Sequence, residues 1–170
     1  QSLPRGGAMA AVLAPLETVE AALAAEPDVV VSGVNAPDNI TISGASDALA
    51  RVVDALEADA ITVVPLKVSH AFHSALMDPI LDEFERLAAS VEHRPLQIAL
   101  ATNLTGQLLG PGATLDATYW RNHARHAVQF AADVKAAPES GAQASTETAP
   151  PPPPRGPPRP PRPRPNPPWP

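Results

Sequence analysis

The chain has 170 residues, a formal net charge of −6, 23 prolines and no cysteine. The lack of cysteine excludes disulfides, thiolate metal sites and a cysteine nucleophile, and the acidic balance offers no electrostatic footprint for nucleic acid. No apolar run reaches membrane-spanning length, and the first residues lack the pattern of a signal peptide. These features predict a cytoplasmic protein without a nucleic-acid or membrane partner.

Four short runs rich in apolar and β-branched residues are predicted as strands: 8–14, 28–35, 39–44 and 60–68. Two helices separate them. The first opens with Pro15, which suits a first helical turn, and the second follows Ser46, a residue suited to an N-cap. The order β-α-β-β-α-β is the split-βαβ, or ferredoxin-like, pattern. It predicts a four-stranded antiparallel sheet with two helices on one face.

The pattern changes after His73. Residues 74–91 predict a helix that places Leu76, Ile80, Phe84 and Leu87 on one face. The run 96–106 predicts a strand that ends in a turn at Gly106. Residues 115–137 predict two short helices that meet near His126. These elements extend beyond the split-βαβ unit and need another layer to pack on.

The end of the chain has a different composition, since 15 of the prolines lie between Pro138 and Pro170. Through Ala137 the chain carries 8 Lys and Arg against 16 Asp and Glu, whereas the remainder carries 4 Arg against 2 Glu. Such a tail cannot bury a core and is predicted to be disordered, polyproline-like chain. Three interpretations stay open: a solvated tail without a partner, an SH3-type ligand with PxxP and arginine, or a GC-rich coding sequence translated out of frame.

Two histidine pairs invite a metal site by count, His70 with His73 and His123 with His126. Neither pair has the HExxH form, and no Asp or Glu accompanies them as a patterned ligand. The residues alone therefore favour structural histidines, with no bound metal.

Five blocks in fixed order change that interpretation. They are "GGAMAAV" (6–12), "VNAPDNITISG" (34–44), "VSHAFHSALMDP" (68–79), "TNLTG" (102–106) and "YWRNHARHAVQF" (119–130). Together they closely resemble the acyltransferase domain of modular type I polyketide synthases, which is related to the malonyl-CoA:acyl carrier protein transacylases of fatty acid synthesis. The resemblance covers residues 1–134.

The resemblance implies an α+β fold in which a ferredoxin-like subdomain is inserted into a larger α/β-hydrolase-like core. Residues 1–66 would be the ferredoxin-like subdomain. Residues 67–136 would be the returning, C-terminal part of the core, and residues 137–170 the Pro/Arg-rich disordered tail.

The resemblance also implies acyl transfer by a Ser–His pair. A serine in a strand-to-helix elbow attacks malonyl-CoA, and the phosphopantetheine thiol of an acyl carrier protein then takes the malonyl group from that serine. No cofactor is bound. The catalytic histidine corresponds to His73, which serves as the base. A main-chain carbonyl in the "YWxxH" region orients it, which indicates His123; the alternative is that His123 only packs or caps a helix.

His70 and Phe72 fall in the selectivity motif for the extender unit. The resemblance associates the form HAFH with malonyl and the form YASH with methylmalonyl. A phenylalanine beside the acyl pocket leaves less room for an α-methyl group than a serine would. One methyl group is worth about 1–3 kcal/mol in such a pocket, so Phe72 biases the choice of substrate.

The GHSxG elbow of the family is absent from the sequence, as are the expected arginine that pairs with the malonyl carboxylate and the glutamine of the oxyanion hole. The nearest string, "GASDA" from Gly44, lacks the closing glycine and lies at a predicted helix start. The chain also begins without Met, and the expected "EVGPHP"-like segment is replaced by the proline-rich tail. We therefore expect an internal fragment of a synthase, inactive alone, that belongs with neighbouring synthase domains. The alternatives are a non-catalytic remnant that binds partners through its ferredoxin-like unit or its tail, and, less favoured, a metal-binding protein.

Overall fold

The computed structural model describes residue 3 and residues 6–141. The predicted tail therefore lies outside the described residues, apart from a short 3-10 turn at Ala137–Ser140 and the glycine after it. The described residues form six strands: β1 (Gly7–Leu13), β2 (Val29–Ala36), β3 (Asn39–Ala45), β4 (Thr62–Pro65), β5 (Leu100–Thr102) and β6 (Gln107–Leu109). The α-helices in this part of the chain are α1 (Leu16–Leu23), α2 (Ser46–Ala58), α3 (Asp78–Ala89), α4 (Ala117–Arg125) and α5 (Phe130–Ala136). No helix among the described residues is both long and apolar enough to cross a membrane.

The first four strands form one sheet in the order β2-β3-β1-β4, and each neighbouring pair is antiparallel. The predicted β-α-β-β-α-β order of elements is confirmed. Strand β4 is shorter than the predicted run 60–68. After Pro65 the ladder continues only through the Leu66 N–H, which donates to the Met9 carbonyl at 2.9 Å.

One face of this sheet carries the main core. Alternation along the strands places Ala10 and Val12 of β1 beside Ile40 and Ile42 of β3. The same cluster contains Val19 of α1 and Ala48, Leu49, Val52 and Leu56 of α2. Both helices therefore cover the same face. Burial of each of the larger aliphatic side chains contributes about 1.5–3 kcal/mol before entropy is counted.

The opposite face carries Met9 together with the polar side chains of Thr41 and Ser43, and all three are buried. The segment that follows β4 covers it. Gly7 lies so close to Ala71 that an added Cβ would sit 2.7 Å from the Ala71 nitrogen. At the sheet edge, Val128 exchanges backbone hydrogen bonds with β2: its N–H donates to the Ser32 carbonyl at 3.0 Å, and its carbonyl accepts from Val34 at 2.8 Å.

The predicted N-cap role of Ser46 is wrong. Ala45 is the N-cap residue of α2, and Ser46 is the first helical residue. The Ser46 hydroxyl donates to the Gly6 carbonyl at 2.6 Å, and its N–H donates to the same oxygen at 2.8 Å. The reason is tertiary: the residue before β1 lies beside the start of α2 and offers a carbonyl that the hydroxyl can reach.

The predicted helix over 74–91 divides into a 3-10 turn at Ala75–Met77 and helix α3. On the predicted apolar face, Phe84 and Leu87 are 37% and 61% exposed, which agrees with the expectation that this helix needs another layer to pack on, whereas Leu81 is buried. Helix α3 instead packs on α4 through ion pairs such as that between Arg121 and Asp82. The long apolar side chains of the predicted face are therefore left in contact with solvent.

The predicted turn at Gly106 is confirmed. Gly106 has a left-handed φ of 69°, and its N–H donates to the Thr102 carbonyl at 2.7 Å. The strand before it is shorter than predicted, and the chain returns as β6 to form a hairpin with β5.

Candidate functional site

His73 lies in the loop between β4 and α3. Buried residues fix the loop on both sides, since Ala71 packs against Gly7 and the Ser74 hydroxyl donates to the Ala71 carbonyl at 2.7 Å. Ser74 also caps the following turn by accepting from the Leu76 N–H at 3.2 Å. Between these anchors His73 has a φ of 58°. That conformation costs a non-glycine residue about 1–2 kcal/mol, so the surrounding contacts over-determine it.

The ring of His73 is oriented by the main chain of α4. Its Nδ1 lies 3.1 Å from the carbonyl oxygen of His123. A carbonyl can only accept, so Nδ1 carries the proton, and in the neutral ring Nε2 keeps its lone pair. The carbonyl is available because it belongs to the last turn of α4, where carbonyls lack an intrahelical partner.

Ion pairs join the segment that follows His73 to the helix that carries His123. Arg125 Nε lies 2.6 Å from Asp78 Oδ1. One turn earlier on α4, Arg121 contacts Asp82 at 2.6 Å and Glu85 at 3.2 Å. Partly exposed pairs of this kind contribute about 0.2–1 kcal/mol each. As a network they fix the position of α3 relative to α4.

His70 and Phe72, the two residues predicted to set selectivity, lie beside each other ahead of His73. Their ring centroids are 6.0 Å apart with an interplanar angle of 64°, an edge-to-face arrangement. His70 Nδ1 also lies 2.9 Å from the Ser69 hydroxyl. The histidine thus supports one side of the phenylalanine ring.

Sequence reasoning missed the aromatic cluster around His73. The ring of His123 stacks on Tyr119, with centroids 6.0 Å apart and an angle of 21°, and meets Trp120 edge to face at 6.1 Å. It also meets the ring of His73 at 6.0 Å and 90°. The spacing of Tyr119 and His123, four residues apart on a helix, is the signal that could have revealed the stack.

The sequence also carries no signal for a buried carboxyl group, that of Asp133. Asp133 of α5 accepts a 2.6 Å hydrogen bond from Asn103 Nδ2 through Oδ2, while its Oδ1 has no partner among the described residues. Burial raises the pKa of Asp133, and the Asn103 hydrogen bond opposes that rise. Burial also raises the pKa of Tyr119, and the charge of Asp133 adds to it.

The two histidines of the site resist protonation. Burial lowers the pKa of His73, and the hydrogen bond to the His123 carbonyl, which favours the charged ring, only partly offsets this. Burial also lowers the pKa of His123. His73 is therefore neutral near neutral pH, with the unprotonated nitrogen that a general base needs.

The predicted pairs of histidines do not converge on a metal. In the part of the chain that the structure describes, no group of three or more His, Asp or Glu side chains is placed to hold a metal ion. His126 Nδ1 is instead directed at the Asn122 carbonyl at 2.9 Å. A groove of about 500 Å³ lies at the β5–β6 hairpin and α5, and none of the predicted site residues lines it.

An oriented, neutral histidine on a mixed α/β chain can act as a general base, and the relatives of the chain identify its class. Residues 1–153 match the family described as the acyl transferase domain. The chain therefore belongs to this family, and the resemblance predicted from the five blocks is confirmed.

The relatives of the chain are polyketide synthases. It is 47% identical over 150 residues to the mycoketide-CoA synthase of Mycobacterium tuberculosis, an alignment that covers 88% of this chain and 4% of that protein. The solved acyltransferase domain from the second module of the salinomycin polyketide synthase is 38% identical with a TM-score of 0.76, covering 82% of this chain and 33% of that one. The acyltransferase domain of SpnD, solved in complex with 2-(pent-4-yn-1-yl)malonyl, is 31% identical with a TM-score of 0.73, covering 79% and 32%. The chain thus spans about a third of the solved domains it matches.

Proposed function

We propose that this chain supplies the histidine half of a Ser–His acyltransferase site that loads malonyl onto an acyl carrier protein. The observation that carries the proposal is the contact between His73 Nδ1 and the His123 carbonyl at 3.1 Å. It leaves Nε2 as the acceptor, and burial lowers the pKa of the ring so that the acceptor stays unprotonated. An oriented, neutral imidazole is what general-base catalysis needs.

The reaction proceeds through two acyl transfers. In each of them His73 first accepts a proton and then gives it back. Nε2 removes the proton of a serine hydroxyl as its oxygen attacks the thioester carbonyl of malonyl-CoA. The coenzyme A thiolate leaves and takes the proton back, and a malonyl-serine ester remains. The phosphopantetheine thiol of the carrier protein then gives its proton to Nε2 and attacks this ester. The serine oxygen leaves with that proton, and malonyl is attached to the carrier protein.

The serine itself comes from the rest of the acyltransferase domain. This sequence contains no GHSxG string, and the chain matches only 33% of the solved salinomycin-synthase domain. The arginine for the malonyl carboxylate and the glutamine of the oxyanion hole belong to the same missing part. We assign residues 1–66 to the ferredoxin-like subdomain and residues 67–136 to the returning part of the larger core. The strand order β2-β3-β1-β4 supports the first assignment.

The outer surface of α3 supports the second assignment. Phe84 and Leu87 of α3 are 37% and 61% exposed, and Val91, just after the helix, is 62% exposed. A solvent-facing helix normally carries polar residues there. In our proposal, the remaining two thirds of the domain covers this surface, and neighbouring synthase domains and the carrier protein complete the assembly.

Phe72 determines which malonyl derivative fits. Its ring meets His70 edge to face, with centroids 6.0 Å apart, a contact that favours one orientation of the ring. The related SpnD domain binds a malonyl group with a bulky substituent, so the pocket of the family can be widened. In a complete domain, Phe72→Ser should raise the rate with methylmalonyl relative to malonyl by about 10–200-fold. An unchanged ratio of the methylmalonyl rate to the malonyl rate would show that Phe72 does not set the selectivity.

The experiment that tests the proposed function rebuilds a complete domain. The chain takes the place of the segment of the salinomycin-synthase domain that it matches at 38% identity, and the preceding part of that domain is kept. The chimera is then given malonyl-CoA and a carrier protein. We expect malonyl on the carrier protein by intact mass. A folded chimera that transfers nothing, while the parent domain transfers under the same conditions, would instead favour the non-catalytic binding module.

A further inference from the structure

The polar contacts between α3 and α4 follow a regular order along the two helices. Four contacts step along them in opposite directions: Arg125–Asp78, Arg121–Asp82, Arg121–Glu85 and Thr118–Glu85. The helices are therefore antiparallel, and the last turn of α4 lies beside the first turn of α3. His73 lies shortly before α3, and the carbonyl of His123 belongs to the last turn of α4. The two halves of the His73–His123 contact thus come from the ends that this series of pairs brings together.

Little apolar packing holds this pair of helices in place. Among the described residues of α3 and α4, only Leu81 is buried, and the apolar side chains of Phe84 and Leu87 are exposed. Interdigitating side chains normally determine how far one helix is displaced along another. Here that displacement depends on the polar contacts. The pair between Arg125 and Asp78 is the one nearest along the chain to both histidines.

We propose that Asp78 and Arg125 are positioning residues that set where the His123 carbonyl lies relative to the ring of His73. Arg125 Nε and Asp78 Oδ1 are 2.6 Å apart, and the contact between His73 and the carbonyl is 3.1 Å long. A helix rises about 1.5 Å per residue, so a displacement of α4 by one residue would break that contact. Without it, the proton of His73 is free to occupy Nε2, and the acceptor nitrogen of the base is lost.

The location of the two charges agrees with a positioning role. Asp78 lies in the first turn of α3 and Arg125 in the last turn of α4, where the helix dipoles favour a negative and a positive charge respectively. The side chains are 56% and 28% exposed, and pairs this exposed contribute little to the free energy of unfolding. Breaking the pair should therefore displace α4 without unfolding the chain.

The consequence for catalysis rests on the proposed function, since the base matters only if the complete domain transfers malonyl. The positioning itself does not depend on acyl transfer, because the tautomer of His73 is measurable in this chain as it stands. An inactive chimera would leave the positioning testable, and a failed positioning test would leave the chimera experiment unaffected.

The test reads the tautomer of His73 from the nitrogen NMR signals of the isotopically labelled chain near neutral pH. Asp78→Arg and Arg125→Asp each place like charges opposite one another, and we expect both to increase the fraction of His73 with the proton on Nε2. The combined variant restores the attraction, although each charge then opposes its helix dipole. Its tautomer should therefore lie closer to the wild type than that of either single variant.

A neutral set of variants decides the question if a charge reversal prevents folding. Asp78→Asn and Arg125→Gln should each shift the tautomer of His73, and the two together should shift it no further than one alone, because both remove the same contact. The matched control is Glu26→Arg. It breaks the pair between Glu26 and Arg51, whose two contacts are 2.5 and 2.7 Å long, and should leave the tautomer unchanged.

The same variants make a second prediction in the complete chimeric domain. Asp78→Arg and Arg125→Asp should lower kcat for malonyl transfer by about 2–30-fold, the range for an attractive exposed pair made repulsive. The KM for malonyl-CoA should stay the same, because the base acts on the chemical step. The combined variant should recover part of the lost kcat.

Three results would overturn the proposal. The first is an unchanged tautomer in the charge-reversal and neutral variants, which would assign the positioning of α4 to the aromatic contact between His123 and His73. The second is a shift in the single variants that the combined variant does not reverse, or neutral substitutions whose effects add. The third is an equal shift in Glu26→Arg, which would indicate a general response to lost ion pairs.

Discussion

The Nδ1 atom of His73 and the carbonyl oxygen of His123 lie 3.1 Å apart although 50 positions of sequence separate the two residues. The contact joins the loop after the large sheet to the last turn of α4. It sets the tautomer of His73, since the nitrogen that faces a carbonyl must carry the proton. The other nitrogen is then free to act as a base.

The tautomer can be observed directly. In the neutral chain we expect the nitrogen NMR signals of His73 to show a protonated Nδ1 and an unprotonated Nε2. Asp116→Ala, which removes the side-chain cap of α4 on the Tyr119 N–H at 2.8 Å, should loosen α4 and mix the two tautomers. The opposite tautomer in the wild type, with the proton on Nε2, would contradict the proposed role of the carbonyl.

The left-handed backbone of His73 predicts an unusual order of stabilities. At a φ of 58° glycine avoids a steric cost that alanine bears, so His73→Gly should be more stable than His73→Ala by about 1 kcal/mol. Urea unfolding of the two variants measures the difference. The matched control is Ala124→Gly in α4, where glycine should instead destabilise by about 1 kcal/mol relative to alanine. If His73→Ala were more stable than His73→Gly, the left-handed conformation of residue 73 would be contradicted.

A different steric effect is expected at Gly7, where β1 meets the loop that carries His73. A Cβ at this position would lie 2.7 Å from the nitrogen and 2.8 Å from the Cβ of Ala71. Gly7→Ala should therefore lower the free energy of unfolding by about 1–3 kcal/mol and shift the NMR signals of His73. Gly110→Ala, where an added Cβ meets no atom within 4 Å, should stay within about 0.5 kcal/mol of the wild type. Equal effects of the two substitutions would disprove the close approach.

The sheet and its helices could be predicted from the sequence because their signals are local. Alternation of apolar residues gives the strands, and spacing of three and four gives α1 and α2. The details that the sequence did not predict depend on contacts with residues distant in the chain. Ser46 resembles an N-cap, but the Gly6 carbonyl lies within reach of its hydroxyl. The apolar stripe of α3 is present as predicted, and Leu87 on it is exposed among the described residues, as expected of a helix that needs another layer.

The residues of the candidate site could be named from short sequence blocks, but their arrangement could not. The five sequence blocks indicate His73, His70, Phe72 and a carbonyl near His123 through resemblance, and the structure brings these residues to one loop and one helix end. The geometry of the rings was not accessible, because the approach of α4 to the loop depends on contacts between distant segments. Asp133 shows the same limit, since nothing local in the sequence marks that carboxyl as buried.

The pH dependence of stability follows from the shifted pKa values. His73 and His123 have folded pKa values below the ordinary 6.5, so near and just below that pH the unfolded chain binds more protons than the folded chain. The free energy of unfolding should therefore increase as pH rises through this window. In His73→Gln/His123→Gln the increase should largely vanish, whereas His93→Gln should retain it. A flat wild-type profile in urea titrations across this range would contradict the burial of the two rings.

The role of His73 as the base is tested most directly by the single-turnover rate of malonyl transfer in the chimeric domain, with and without the His73 side chain. We expect His73→Ala to lower this rate by about 10²–10⁴-fold, whereas His93→Ala, a change remote from the site, should leave it unchanged. The substitution should act on both the formation of the malonyl-serine ester and its transfer to the carrier protein, which intact-mass sampling separates. Transfer by His73→Ala at the rate of the unsubstituted chimera would show that His73 is not the base.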